Sequence, residues 1–282
     1  MLKQRIVTAL ILLAVLLPAL FATNPDWFLL VGAVAMVAAS WEWARLNGAS
    51  AWAPAAGALM ALVCVACWYA GFFAGPHRVL WIGVGAFWVL CGCWLLKVGV
   101  AGWPRVPQPV RMAVGLLVLL AAWLALGQAR YLGVAFLLST LALVWAADVF
   151  AYFFGKALGG KLFGGRKLAP AISPGKSWEG AVGGLVGVAV LAGVWMALER
   201  GGHVGGTSLY TLLLETHGPV VLVLSLVFLT AMSVVGDLSE SLVKRAAGVK
   251  DSSQLLPGHG GVLDRVDALL PTLPLALMLV LM

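Results

Sequence analysis

Acidic and basic side chains are concentrated in one short segment near the C-terminus. The segment runs from Asp237 to Asp267 and contains five carboxylates, four cations and a Pro-Gly-His-Gly-Gly turn. Carboxylates are hard oxygen ligands that suit Mg²⁺, and Lys and Arg bind phosphate oxygens. Glycines let the backbone approach an anion and present its N–H groups to it. The pattern predicts a site that holds a divalent metal together with a polyphosphate.

The residue types in this segment suggest individual roles. Asp264 and Asp267 would share one face of the first turn of a helix that begins near Gly261, a spacing that can chelate a metal ion. We therefore predict Asp237, Asp264 and Asp267 as metal ligands. His259 could donate to a phosphate oxygen or serve only the turn, and both roles stay open. The catalytic candidates are Asp237, Lys244, Arg245, Lys250, Asp251, Asp264, Arg265 and Asp267, and the substrate-binding candidates are Ser241, His259, Gly260 and Gly261.

A second polar segment, from Asp148 to Gly180, precedes the first along the chain. The two segments hold 16 of the 29 charged residues, so we expect them to form one site. Ser173 and Lys176 are further candidates for substrate binding. Ser173 before Pro174 is also a good helix start, and the two roles are compatible because helix N-termini bind phosphate. Asp148 would be costly against lipid, so we expect it to face the site or a basic partner.

The segment from Ser241 to Asp267 resembles the signature of the phosphatidate cytidylyltransferase family. That signature has a Ser, a Lys-Arg pair and a Lys-Asp pair before a Pro-x-His-Gly-Gly turn and an Asp-Arg-x-Asp end. The resemblance implies CTP and phosphatidic acid as substrates and Mg²⁺ as cofactor. It also implies that CDP-diacylglycerol and pyrophosphate are formed in phospholipid biosynthesis. The matching residues are Ser241, Lys244, Arg245, Lys250, Asp251, Ser253, Pro257, His259, Gly260, Gly261, Asp264, Arg265 and Asp267.

The elements that position these residues must lie in a membrane. Hydrophobic residues make up 62% of the 282 positions and charged residues only 10%, which is too apolar for one soluble core. A membrane helix needs about 20 apolar residues. We predict an all-α, polytopic transmembrane bundle with about nine helices, forming a single domain over residues 1–282. The spans centre on Ile6–Ala22, Trp27–Ala44, Ala51–Phe72, Val79–Leu96, Val110–Leu126, Tyr131–Phe154, Gly180–Leu198, Leu212–Val235 and Ala268–Met282.

Charge asymmetry predicts the orientation of the bundle. The first run could be a signal peptide, but we predict a retained helix with a cytoplasmic N-terminus. The inside segments then hold 15 of the 18 basic residues, and the outside segments hold only Arg78, Arg130 and Arg200. This is the asymmetry of the positive-inside rule. We predict a multi-pass protein of the cell (inner) membrane with both polar segments facing the cytoplasm. The last run contains Pro271 and Pro274, so it would cross tilted, kinked or incompletely.

Partners follow from the same features. Cationic loops beside anionic membrane lipids account for the net charge of +7, so we predict no nucleic-acid partner. Gly183, Gly184 and Gly187 are predicted to let helices approach closely. Such small residues would also permit a homodimer, although the sequence does not fix the oligomeric state.

Two alternatives compete with this hypothesis. One is another CTP-using membrane enzyme with a different lipid substrate, such as a prenol kinase or an archaeal ether-lipid cytidylyltransferase. The full signature argues against both, but the sequence does not identify which lipid is the substrate. The other is a transporter whose charges at the membrane edge bind an ion or an anionic solute. Polar residues in the middle of the membrane and inverted internal symmetry, which a transporter would show, are not evident in the sequence.

Overall fold

Long helices dominate the computed structural model, which describes residues 2–282. Within that range there are ten α-helices and one β-hairpin, apart from short 3-10 turns. Their bounds are α1 Leu2–Phe21, α2 Asp26–Leu46, α3 Ala53–Tyr69, α4 Arg78–Val98, α5 Gln108–Leu132, α6 Val134–Leu158, β1 Lys167–Ala169, β2 Ser173–Ser177, α7 Trp178–Arg200, α8 Leu209–Ala246, α9 Leu263–Val266 and α10 Leu269–Leu281.

Eight of the helices, α1 to α8, are long and apolar enough to cross a membrane. The prediction of a polytopic helical membrane protein is therefore confirmed, with two differences of detail. The ninth predicted span, α10, has only 13 residues, or about 20 Å, against a hydrocarbon core of about 30 Å. The all-α prediction also missed the short antiparallel pair of β1 and β2, whose polar sequence shows no strand alternation.

The short helix α10 lies at the centre of the bundle. It packs against α4, α5, α6 and α8, and residues 270–277 are all buried. A helix surrounded by protein has no need to match the thickness of the bilayer, which explains why so apolar a segment can be so short. Pro271 stands in its first turn, where the backbone N–H would have no partner within the helix. Because α10 contacts both early and late helices, it ties the two parts of the chain together.

The helices α6 and α7 form the most extensive contact between any two of the described elements. A Cβ atom on Gly184 would lie 2.8 Å from the carbonyl oxygen of Ala147, and one on Gly187 would lie 2.3 Å from the ring of Phe150. Gly183 is equally close to Phe154. The prediction that these three glycines serve helix packing is confirmed, because a Cβ atom would overlap the backbone of α6 at Gly184 and its phenylalanine side chains at Gly183 and Gly187.

Both polar segments lie at one end of the bundle. The Thr8 hydroxyl near the start of α1 donates to the carbonyl oxygen of Pro257 at 2.9 Å, so the N-terminal end shares that face. At the opposite end, Arg130 donates to the carbonyl oxygens of Leu20 and Ala22. The alternation of helix ends thus agrees with the predicted order of the spans from α1 to α8.

Candidate active site

One cluster of charges joins the two polar segments. Lys176 on β2 forms an ion pair of 2.6 Å with Asp237, which lies in the last turns of α8. Ser241, one turn further along α8, donates to the other oxygen of Asp237 at 3.2 Å. The charges of Asp237 and Lys176 also act on Asp148 and Asp267. The structure therefore brings together Lys176 and Asp237, which are about 60 positions apart in the sequence.

Asp267 is the most unusual carboxylate of this cluster. Its side chain accepts a hydrogen bond from the N–H of Ala268, its own neighbour in the chain, and it forms no ion pair within the distance of a salt bridge. Burial raises the pKa of Asp267 well above its usual range, and the negative charge of Asp237 raises it further. A divalent cation between the two groups would relieve both effects.

The donor set of this cluster fits a hard cation. Asp237 and Asp267 offer carboxylate oxygens, which Mg²⁺ prefers, and the repulsion between them favours a bound positive charge. No three His, Cys, Asp or Glu side chains within residues 2–282 are arranged as a finished metal site. Since Mg²⁺ keeps several waters and takes one or two protein carboxylates plus substrate phosphates, a pair of carboxylates is sufficient for it.

A second cluster surrounds Lys244 on α8. Its ammonium group lies between Glu240, one turn earlier, and Asp264, at 2.5 Å from an oxygen of the latter. The other oxygen of Asp264 accepts from the N–H of Ser252, the hydroxyl of Ser252 and the N–H of Gly261, at 2.8 to 2.9 Å. Burial would raise the pKa of Asp264, but Lys244 and the two N–H groups lower it to about 2. Both oxygens of Asp264 are thus already used within the protein.

Glu42 on α2 holds the signature loop, which is the part of the signature segment that follows α8, residues 247–267. This fully buried carboxylate accepts hydrogen bonds from the hydroxyls of Ser252 and Ser253, at 3.1 and 2.5 Å. It also accepts from the backbone N–H groups of Val262 and Leu263, at 2.9 and 2.7 Å. The two N–H groups belong to the start of α9, so Glu42 satisfies donors that this short helix leaves free. One buried acid therefore joins both arms of the loop to α2.

The glycines of the turn serve this internal network. Gly258 and Gly260 have φ values of +76° and +82°, a conformation that side chains with a Cβ atom rarely adopt. A Cβ atom on Gly261 would lie 2.0 Å from the hydroxyl of Ser252 and 2.4 Å from Glu42. The N–H of Gly261 is bound to Asp264, so it does not point into a free anion nest. His259 donates its backbone N–H to Leu256, and its Nδ1 atom is buried without a partner.

The structure corrects the predicted helix boundaries in both segments. Ser173 does not cap a helix but begins β2, and the N-cap of α7 is Ser177, whose hydroxyl accepts from the N–H of Gly180 at 3.2 Å. The five-residue strand was not expected because Pro174 suggested a helix start. In the other segment α9 begins at Leu263 and ends at Val266, so Asp267 lies beyond it. Asp267 is the C-cap of α9, with helical backbone dihedrals and an N–H that donates to the carbonyl oxygen of Leu263, so Asp264 and Asp267 share one helical turn as predicted, although their side-chain partners differ.

The remaining candidates lie at the rim. Arg245 donates to the carbonyl oxygens of Ile172 and Val249, so it connects α8 to the hairpin. Lys250, Asp251 and Arg265 are exposed. An open pocket of about 550 Å³ lies beside Lys250 and Asp251, lined by Arg45, Lys250 and the loop residues 249 and 251–254. The guanidinium of Arg45 stacks on Trp41 at 4.4 Å, which leaves a cation at the mouth of this pocket.

Sequence reasoning missed Glu42 and Arg45. Both lie at the end of the second apolar run, which we interpreted only as a membrane span. A signal was present, because an acid between Trp41 and Trp43 in an apolar run is costly unless it has buried partners. The partners are about 210 residues away, so the sequence could not identify them.

Comparison with known proteins agrees with this geometry. Residues 3–282 match the model of the cytidylyltransferase family. The chain is 42% identical to the phosphatidate cytidylyltransferase of Pseudomonas aeruginosa, over 97% of this chain and 95% of that protein. It is 38% identical to the phosphatidate cytidylyltransferase of Haemophilus influenzae, over 97% and 96% respectively. The match spans both polar segments and every helix that carries them, and the chain therefore belongs to the cytidylyltransferase family.

Proposed function

We propose that this protein transfers the cytidylyl group of CTP to phosphatidic acid and releases CDP-diacylglycerol and pyrophosphate. The observation that carries the proposal is the ion pair of Lys176 with Asp237, whose charges also act on Asp267, in a chain whose full-length relatives are phosphatidate cytidylyltransferases. Cations and carboxylates in contact suit a reaction in which several phosphate charges must meet. The same surroundings give the lipid substrate access from the bilayer.

The reaction itself asks little of a general base. A phosphate oxygen of phosphatidic acid is already anionic, and it attacks the α-phosphorus of CTP. The bond from that phosphorus to the oxygen that bridges it to the β-phosphorus breaks, and pyrophosphate leaves with the electron pair. The main obstacle is repulsion between two anions, so fixed cations and a metal ion should supply most of the catalysis. Lys176 is placed to hold a phosphate oxygen beside Asp237, and the exposed Lys250 and Arg265 are free to contact the nucleotide.

We propose that Asp237 and Asp267 hold Mg²⁺, with Asp148 at the edge of the site. The ion would neutralise phosphate charge and orient the leaving group. Asp264, which we also predicted as a metal ligand, is better assigned to holding the loop, because Lys244, Ser252 and Gly261 occupy both of its oxygens. The carboxylate of Asp264 acts on the reaction through the position of the loop.

We further propose that the protein lies in the inner membrane and that its site faces the cytoplasm, the compartment that holds CTP. The 15 basic residues of the predicted inside segments support this orientation. The chain acts as a single domain in this proposal, since the central helix α10 contacts both early and late helices. The diacyl tails of the substrate would remain among membrane lipids while the headgroup reaches the site.

The test is formation of CDP-lipid by purified protein in detergent, with labelled CTP, phosphatidic acid and Mg²⁺. We expect product with the wild type and a loss of at least about a hundredfold with Asp267→Asn, because removing one stabilising contact to a transferring phosphate costs about that factor. Glu215→Gln is the matched control, since Glu215 is an exposed acid on the opposite end of α8. No product from a folded wild type with any lipid would refute the proposal and favour a transporter.

The same assay separates the roles of two nearby acids. Asp267→Asn removes a half-buried carboxylate that the charge of Asp237 repels, so thermal stability in detergent should stay unchanged or rise while activity falls. Asp264→Asn leaves Lys244 and two backbone N–H groups poorly paired, so it should lower stability by about 1–3 kcal/mol. If the Asp264→Asn protein is as stable as the wild type but has lost its Mg²⁺-dependent activity, Asp264 is a metal ligand instead.

A further inference from the structure

The stretch that joins α6 to the hairpin is strongly cationic. Between positions 149 and 178 the chain holds five cations and no acid. One of these cations, Lys176, is paired with Asp237 in the candidate active site. The other four are exposed, form no ion pair with any residue in the described range 2–282, and have no role in the reaction proposed above. They are Lys156, Lys161, Arg166 and Lys167.

Two large apolar side chains stand among these cations. Leu162 is 63% exposed and Phe163 is 42% exposed, and glycine pairs lie on both sides of them, at 159–160 and 164–165. We call residues 156–167 the basic loop. Apolar side chains flanked by Lys and Arg are typical of segments that lie in a membrane interface, because the apolar groups enter the lipid while the cations meet its headgroups.

Glu179, in the first turn of α7, holds the backbone of the basic loop. This buried carboxylate accepts from the N–H of Gly160 at 2.9 Å and from the N–H of Phe163 at 3.2 Å. Both bonds end on the same oxygen, so the four residues 160–163 form a closed turn around it. The apolar pair at positions 162 and 163 is therefore presented at the surface by a fixed backbone.

Exposed aromatic rings mark the edge of the membrane beside this loop. Tyr152 near the end of α6 and Trp178 at the start of α7 are both exposed. Between them Gly155 faces Ser177, with 3.5 Å from its Cβ position to the Ser177 hydroxyl, so the two rings flank the same level of the bundle. Tyr and Trp concentrate at the boundary between hydrocarbon and headgroups. This level is therefore that boundary.

The basic loop lies close to that boundary. The N–H of Phe163 reaches Glu179, which directly follows Trp178 in the chain. The loop thus folds back towards the membrane instead of extending into water. From that position Leu162 and Phe163 are within reach of the lipid, and the surrounding cations lie at the level of the lipid phosphates.

We propose that the basic loop binds the anionic phospholipid surface of its own leaflet, with Leu162 and Phe163 inserted between lipids and its four cations against their phosphate groups. An acidic protein would match the charge equally well, but the position of the loop beside the boundary favours lipid. The inference goes beyond the proposed reaction and does not depend on it. Because β1 and β2 follow the loop directly, the lipid contact also restrains the hairpin that carries Lys176.

The test is photo-crosslinking of the intact protein in nanodiscs of phosphatidylcholine and phosphatidylglycerol. Two lipid probes carry a diazirine at the top of one acyl chain and differ only in having one or the other headgroup. Mass spectrometry after peptic digestion gives the ratio of anionic to neutral adducts in the basic loop. The reference is Trp52, an exposed residue after α2 in a stretch without charges from position 46 to position 77. We expect the ratio in the loop to exceed that at Trp52 by about fivefold or more, the effect of about one cation near an anionic surface.

Matched variants separate the two parts of the contact. Lys161→Gln with Arg166→Gln should lower the adduct ratio of the loop by about twofold or more, since half of its unpaired cations are removed. The control, Lys97→Gln with Arg105→Gln, removes two exposed cations near the end of α4 and should leave the ratio unchanged. Leu162→Ser with Phe163→Ser should reduce the adducts from both probes. Unchanged thermal unfolding in detergent would show that each variant is folded.

Two outcomes would overturn the proposal. Equal adduct ratios in the basic loop and at Trp52 would show that the loop does not select anionic lipid. A loop without adducts, while Trp52 is labelled, would show that the loop lies in water or against another protein. These measurements need no turnover, so a wild type that forms no CDP-lipid would refute the proposed function and leave this inference to be decided by the adducts.

Discussion

Glu42 shows how much of the site depends on a single buried side chain. It receives four hydrogen bonds from residues that lie before and after the glycine turn of the signature loop. Asp264 holds the same two arms from within the loop. Two carboxylates therefore fix the signature loop, and each can affect catalysis without contacting the substrate. Both are positioning residues in this interpretation.

Replacement of Glu42 tests that role. Glu42→Ala leaves four donors without their acceptor, at about 1–3 kcal/mol for each buried donor, so the loop should open. We expect faster proteolytic cleavage between residues 249 and 262 and a fall in kcat of about a hundredfold. Glu42→Gln keeps one carbonyl acceptor and should recover part of both properties, and Glu215→Ala is the control at an exposed acid. Intact loop protection in Glu42→Ala would contradict the positioning role.

At the scale of elements, the contact of α6 with α7 decides where Lys176 stands. The hairpin leads directly into α7, so the distance between Lys176 and Asp237 depends on how closely α7 lies against its neighbours. Gly180 and Gly184 place the backbone of α7 against carbonyl oxygens of α6, with room for hydrogen atoms only. Packing deep in the bundle thus sets the geometry of a charge pair at its edge.

Gly184→Ala should therefore affect both stability and catalysis. The added methyl group would meet the carbonyl oxygen of Ala147 at 2.8 Å, and such overpacking costs about 1–3 kcal/mol. Gly193→Ala on the same helix is the matched control, because no atom lies within 4 Å of the added methyl group. The control should be neutral or slightly stabilising, since Ala favours helices over Gly. Thermal unfolding in detergent and the KM for CTP would measure the difference, and equal behaviour of the two variants would argue against tight packing.

At the scale of the whole molecule, both polar segments lie at one end of the bundle. That arrangement follows from the even alternation of α1 to α8, whose connections return both polar segments to the same end. The opposite end holds a smaller network, in which Glu199 accepts from the N–H of Ser208 at 2.8 Å and so fixes the turn between α7 and α8. It contains no comparable cluster of cations among the described residues.

The orientation of this bundle can be measured directly. Lys250 and His203 are exposed residues at opposite ends, so each can be replaced by Cys in a background with Ala at the four natural cysteine positions. In spheroplasts, a membrane-impermeant maleimide should label His203→Cys and should reach Lys250→Cys only after the membrane is opened. The reverse result would place the candidate active site outside and remove its access to cytoplasmic CTP.

The sequence by itself determined the class of fold and the chemistry of the site. Long apolar runs require membrane helices, because lipid leaves no other way to satisfy the backbone, and a dense segment of acids, bases and glycines identifies phosphate chemistry. These signals are local, so they can be recognised in the amino-acid sequence alone. The predicted packing role of Gly183, Gly184 and Gly187 was of the same local kind.

Only the tertiary structure decided which residues act together. It paired Lys176 with Asp237 across two segments, gave both oxygens of Asp264 to the loop, and joined Glu42 to residues about 210 positions away. It also replaced the expected helix cap at Ser173 by a strand. Side-chain partnership depends on distances between helices, and those distances arise from packing that no single segment encodes.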